Sequence, residues 1–120
     1  NGSDVFNFVI REVPKDINKL VEYSGKNLSS IDYFVFHQAN SYINGFLCKK
    51  LKLPDDKVPS TIAKFGNTSS VSIPLTIVSE LKERSASNQL VLLCGFGVGL
   101  SWGTSLINLN ECFISEIVEV

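Results

Sequence analysis

Tyr33-Phe34-Val35-Phe36-His37 is the stretch on which the fold turns. Its four aromatic and β-branched residues in succession are too short and too uniformly apolar for a half-exposed helix. They predict a strand buried on both faces and ending at His37. Beyond it, Ile43, Phe46, Leu47 and Leu51 recur at helical spacing until Leu53-Pro54-Asp55 closes the segment. The local reading is strand, turn, helix.

Working outward, Gln89 to Phe96 is a second continuous apolar strand, Gly97-Val98-Gly99 permits a tight reversal, and Leu100 to Leu109 supplies a third, antiparallel to the second. Upstream, Phe6, Val9, Val13, Ile17, Leu20 and Val21 mark one buried helical face. Proline in a helix interior costs about 3 kcal/mol but suits a first turn, so Pro14 predicts two short helices, one before it and one starting at it. Gly25 supplies the stop. Val58 to Asn67, with Pro59 and Gly66, reads as a loop. Ser69 and Ser70 then cap a helix carrying Ile73, Ile77, Val78 and Leu81 and running to about Arg84, with Pro74 tolerable near its start. The tail from Cys112 to Val120 alternates loosely and predicts an added edge strand. The fold class is α/β, a mixed β-sheet packed with helices.

Composition narrows the function. A chain of 120 residues suits one domain, and 44% hydrophobic residues exclude a disordered linker. With 11 basic and 12 acidic residues the net charge is −1, which supplies no field for nucleic acid or an anionic membrane. Apolar runs such as Leu90 to Cys94 fall far short of the roughly 20 residues that span a bilayer. The N-terminus shows no basic region followed by an apolar stretch, and it begins at Asn1, which suggests a fragment without a signal peptide. Cys48, Cys94 and Cys112 form an odd, widely spaced set, two of them in apolar surroundings, which points to reduced thiols in a cytoplasmic protein. A single His and no C-x-x-C argue against a structural metal site.

Gly95-x-Gly97-x-Gly99 is not G-x-G-x-x-G and precedes a strand, so dinucleotide binding fails on context. Its readings are a plain hairpin turn or a loop offering a backbone N–H to an oxyanion. The sequons at Asn27 and Asn67 are chance matches without a secretory signal. Lys49, Lys50, Lys52 and Lys64 read as a solvated face, or as a dock for an acidic partner. His37 is the sole imidazole, at the carboxyl end of a buried strand, where α/β sheets form their ligand crevices. Asn67 follows thirty residues later in a Gly-Asn turn, a position an αL turn residue also explains.

Taken together, Asp32 to Asn40 with its His37-Gln38-Ala39-Asn40, Phe65-Gly66-Asn67-Thr68-Ser69 with Ile73-Pro74, and Gly95 to Gly103 resemble, in order and spacing, the three signatures of the 3-oxoacyl-acyl-carrier-protein synthase III family. The resemblance covers nearly everything up to Leu109. It implies a thiolase-like fold of two related halves, of which residues 1–120 form most of the carboxyl-terminal one. The nucleophilic Cys of the family's Cys-His-Asn triad then lies in the other half, and none of the three cysteines here matches its surroundings. By resemblance His37 and Asn67 are the remaining catalytic residues, two neutral donors for the enolate oxygen of a decarboxylating malonyl thioester. His37 must then be neutral with its distal nitrogen protonated, which requires a partner for the other nitrogen. The backbone N–H of Val98, where glycine is usual, falls at a second oxyanion hole for the acyl-Cys step, and its isopropyl group narrows the acyl pocket. Ala39, Asn40 and Phe96 correspond to positions beside the pantetheine channel.

The implied activity is decarboxylative Claisen condensation of an acyl-CoA primer with malonyl acyl carrier protein in fatty acid biosynthesis. It uses coenzyme A thioesters as substrates, no resident cofactor, and a cytoplasmic homodimer of the full-length enzyme. Tyr42 stands where relatives carry a carrier-docking arginine. The chain alone is expected to be inert. The alternatives are an acyltransferase relative that moves an acyl group to a hydroxyl or amine, and a non-catalytic thiolase-fold subunit that only pairs.

Overall fold

In the computed structural model, which describes residues 2–82 and 89–120, Tyr33–Phe36 forms strand β1 as its apolar run predicts. Leu90–Gly97 forms β2 and Ser101–Asn108 forms β3. The sheet order is β1-β2-β3, with β1 parallel to β2 and β2 antiparallel to β3. Register pairs Phe36 with Cys94 and Gly97 with Ser101. Because β1 and β2 run parallel as neighbours, their carboxyl ends open at the same edge of the sheet, where ligand crevices form.

The two faces of the sheet divide the core by the two-residue period of a strand. Phe34, Phe36, Leu92, Cys94 and Phe96 face one layer, built by helix α1 (Gly2–Tyr23) and helix α2 (Ser41–Leu51). Val35 and Val91 face the other, against Leu81, Ile73 and Ile77. That second layer comprises α4 (Ser72–Thr76), which continues as a π-helical turn over Ile77–Leu81. A short helix, α3 (Ile62–Phe65), interrupts the segment expected to be loop. The expected helix end at Arg84 lies outside the described residues.

Three expectations fail. Ser69 and Ser70 cap no α-helix: both lie in a 3₁₀ turn, Ser69–Val71, and α4 begins after Val71 without a side-chain cap. Helix α1 is continuous, with Pro14 buried inside it rather than dividing it. Proline costs a helix interior about 3 kcal/mol, whereas burying an aliphatic side chain gains about 1.5–3 kcal/mol. Val9, Val13, Ile17 and Val21 are all buried on one stripe, so packing outweighs the broken bond. The helix ends as expected at Gly25, φ 70°, where Lys26 N–H reaches the Val21 carbonyl and Gly25 N–H the Glu22 carbonyl.

The tail is not an edge strand. Residues 112–120 have no regular structure, and Phe113 and Val118 are exposed. Phe113-Ile114 and Ile117-Val118 are adjacent apolar pairs, which cannot share one face of a strand. Ile114 packs under the second layer, and Glu116 pairs with Lys82 at 2.7 Å.

Candidate active site

Five of the residues singled out by sequence, His37, Ala39, Asn67, Phe96 and Val98, line one pocket of about 660 Å³ at the carboxyl ends of β1 and β2. Asn40 is not among its lining residues. Its Oδ1 accepts the Ile43 N–H at 2.8 Å and so caps α2.

His37 leaves β1 with its backbone N–H still donating to the Cys94 carbonyl, 2.8 Å. Its ring meets Phe96 edge to face, centroids 5.4 Å apart at 82°. Nδ1 lies 2.7 Å from Ser72 Oγ at the start of α4. Partial burial pushes the imidazole below its ordinary value of 6.5, which favours the neutral ring at pH 7.

Asn67 reaches the pocket through Gly66, whose φ of 67° and ψ of −155° only glycine adopts without strain. The Asn67 Oδ1 accepts the Ser69 N–H at 2.9 Å, an Asx turn. With the amide oxygen held this way, the Asn67 NH₂ remains the group available for donation. Val98 sits at the tip of the β2–β3 hairpin and is 85% exposed.

Gln38 is fully buried and holds the corner. Its Nε2 donates to the Phe36 carbonyl (2.8 Å), and its Oε1 accepts from Thr61 N–H (2.9 Å) and Ser60 Oγ (3.1 Å). This ties the end of β1 to the segment leading into α3 and on to Asn67. Ser72 was missed by sequence reading. The only local signal was a serine in the turn before Ile73-Pro74, and its partner lies 35 residues away.

The cysteines lie outside the pocket lining. Cys94 is buried with its thiol pushed up to about 12, and burial likewise raises Cys48. Neither lines the pocket, and exposed Cys112 lies in the tail. Lys49, Lys50 and Lys52 form a solvated end of α2, while Lys64 pairs with Glu80. Among the described residues no group of three His, Cys, Asp or Glu is gathered as for a metal, and no helix is long and apolar enough to cross a membrane.

A parallel strand pair extended by an antiparallel third, layered by helices and opening on His and Asn at its carboxyl edge, defines a carboxyl-terminal part of a thiolase-type fold. The chain belongs to the 3-oxoacyl-[acyl-carrier-protein] synthase III C-terminal family, which it matches over residues 21–109.

It is 40% identical over 113 residues to a beta-ketoacyl-[acyl-carrier-protein] synthase III of Streptococcus gordonii, covering 91% of this chain and 35% of the relative. The Lactococcus lactis subsp. cremoris protein of the same name is 41% identical, with 90% and 34% covered. A 3-oxoacyl-(acyl-carrier protein) synthase from Burkholderia xenovorans superposes with a TM-score of 0.94 at 38% identity, over 100% of this chain and 35% of that one. The chain therefore spans about a third of the length of these relatives.

Proposed function

We propose that this chain supplies the donor half of a condensing active site that extends an acyl primer by decarboxylative Claisen condensation. The cysteine nucleophile comes from a second, amino-terminal half. An acyl-CoA first transfers its acyl group to that cysteine, with the backbone N–H of Val98 donating to the tetrahedral oxyanion. A malonyl thioester on acyl carrier protein then enters along Ala39 and Phe96.

Loss of CO₂ breaks the bond between the malonyl α-carbon and its carboxylate, and the electron pair moves into the enolate. Negative charge gathers on the thioester oxygen, where the N–H groups of His37 and Asn67 receive it. The enolate carbon attacks the acyl-cysteine carbonyl, and the thiolate leaves as the β-ketoacyl product forms. No resident cofactor enters this sequence, and the full-length enzyme acts as a cytoplasmic homodimer. Tyr42, in place of arginine, makes carrier docking less dependent on charge.

The observation carrying this reading is that both side chains open on one pocket with their other polar atoms already engaged, His37 Nδ1 by Ser72 and Asn67 Oδ1 by Ser69. Preorganised donors of this kind each contribute about 3 kcal/mol to an oxyanion-type transition state. In the full-length enzyme Asn67→Ala should lower malonyl decarboxylation by about 10²- to 10³-fold while leaving acyl transfer to cysteine nearly intact. Equal loss in the two half-reactions points to a structural Asn67 instead. Intact decarboxylation favours transfer to a hydroxyl or amine, or a pairing subunit.

A further inference from the structure

Ser72, 1% exposed, stands in the lining of the pocket, and its hydroxyl touches two groups. The Gln38 backbone N–H approaches Oγ at 3.2 Å, and His37 Nδ1 lies 2.7 Å from the same atom. A backbone N–H can only donate, so Oγ accepts from Gln38. Its own proton then needs an acceptor, and among the described residues the one within reach is Nδ1. Were Nδ1 itself protonated, a buried hydroxyl hydrogen would be left without a partner.

The seryl group is also held from behind. The Ser72 carbonyl accepts from Thr76 Oγ1 (2.7 Å), Thr76 Oγ1 meets Thr61 Oγ1 (2.9 Å), Thr61 N–H donates to Gln38 Oε1 (2.9 Å), and Gln38 N–H returns to Ser72 Oγ. This buried circuit links the end of β1, the entry to α3 and the start of α4. Ser72 and the imidazole it contacts bring this circuit to the lining of the pocket.

We propose that Ser72 is a positioning residue that donates to His37 Nδ1 and thereby fixes the neutral ring as the Nε2–H tautomer, which points its one proton into the site. This deepens the donor-pair reading and rests on it for its consequence in catalysis. Burial, which lowers the imidazole's basicity, also keeps the ring singly protonated at neutral pH.

The test is ¹⁵N NMR of the full-length enzyme with labelled histidine, His37 being assigned by its absence in His37→Gln. At neutral pH the expected spectrum shows Nδ1 unprotonated and Nε2 protonated. A protonated Nδ1 in the neutral ring overturns the proposal, whether or not any variant folds. Ser72→Ala should mix the tautomers and lower decarboxylation on the order of 10-fold, with acyl transfer to cysteine kept. Ser72→Thr, which retains the hydroxyl, should restore most of that loss. Equal loss of both half-reactions in Ser72→Ala, or no rescue by Thr in a folded protein, also counts against it. Should the wild-type ring be Nε2–H while Asn67→Ala decarboxylates normally, the donor-pair reading fails and the role of Ser72 in setting the tautomer stands.

Discussion

The corner that follows β1 and the tip of the β2–β3 hairpin contribute to the same pocket by opposite constructions. At the corner, Gln38 is 0% exposed and its side chain makes three hydrogen bonds. At the tip, Val98 is 85% exposed between Gly97 and Gly99, and the chain turns through positive φ at Gly99 (84°) and Leu100 (48°). A buried polar network fixes geometry but is costly to disturb, since each orphaned group keeps its full desolvation penalty. A turn held by backbone alone tolerates side-chain change. On the proposed function, the corner sets where charge is received and the tip is free to tune what fits.

Three changes probe that contrast, in falling order of effect. Gln38→Leu should destabilise the protein by about 2–4 kcal/mol, because the buried Thr61 N–H and Phe36 carbonyl lose their partner. Urea denaturation checks this, and a loss below 1 kcal/mol would mean that the corner is not held by its network.

The second change is acid. Burial lowers the His37 value in the folded state below the 6.5 of the free ring, so the unfolded chain binds a proton first. The stability that neutral His37 contributes is complete above about pH 6.5 and declines as pH falls from there through the lower folded value. Stability measured against pH in wild type and His37→Gln should diverge in shape only on that acid limb. Parallel curves throughout would show that His37 titrates as if solvated.

The third and smallest is Val98→Ala, which should leave stability within about 0.5 kcal/mol. It should raise the preference for bulkier acyl primers by up to about 10-fold in kcat/KM, as removal of two methyl groups from a pocket wall allows. An unchanged primer preference would remove Val98 from the acyl pocket.

The same contrast explains what was legible in the sequence. Strands β1 and β2 are unbroken apolar runs, and a strand covered on both faces leaves no other pattern for so short a segment. That His37, Asn67 and Val98 would meet at one pocket was legible through the combined order and spacing of three family motifs, since each residue alone also has a plain structural reading. Pro14 misled because its local cost is visible in sequence and the stripe of Val9, Val13, Ile17 and Val21 that outweighs it acts through the tertiary packing of α1 on the sheet. The tail misled because its loose alternation contains the adjacent apolar pairs Phe113-Ile114 and Ile117-Val118, which a strand would split between its two faces. Ser72 and the Thr61–Thr76 link were invisible, since serines and threonines are common in turns and their partners here lie 15 to 35 residues away.

The central claim is that His37 and Asn67 point their N–H groups at one oxygen. The most direct measurement is a crystal structure of the full-length enzyme with a malonyl thioester analogue that cannot lose CO₂. The thioester oxygen should lie about 2.7–3.1 Å from both His37 Nε2 and Asn67 Nδ2. An ordered analogue whose oxygen contacts only one of them, or neither, would contradict the account.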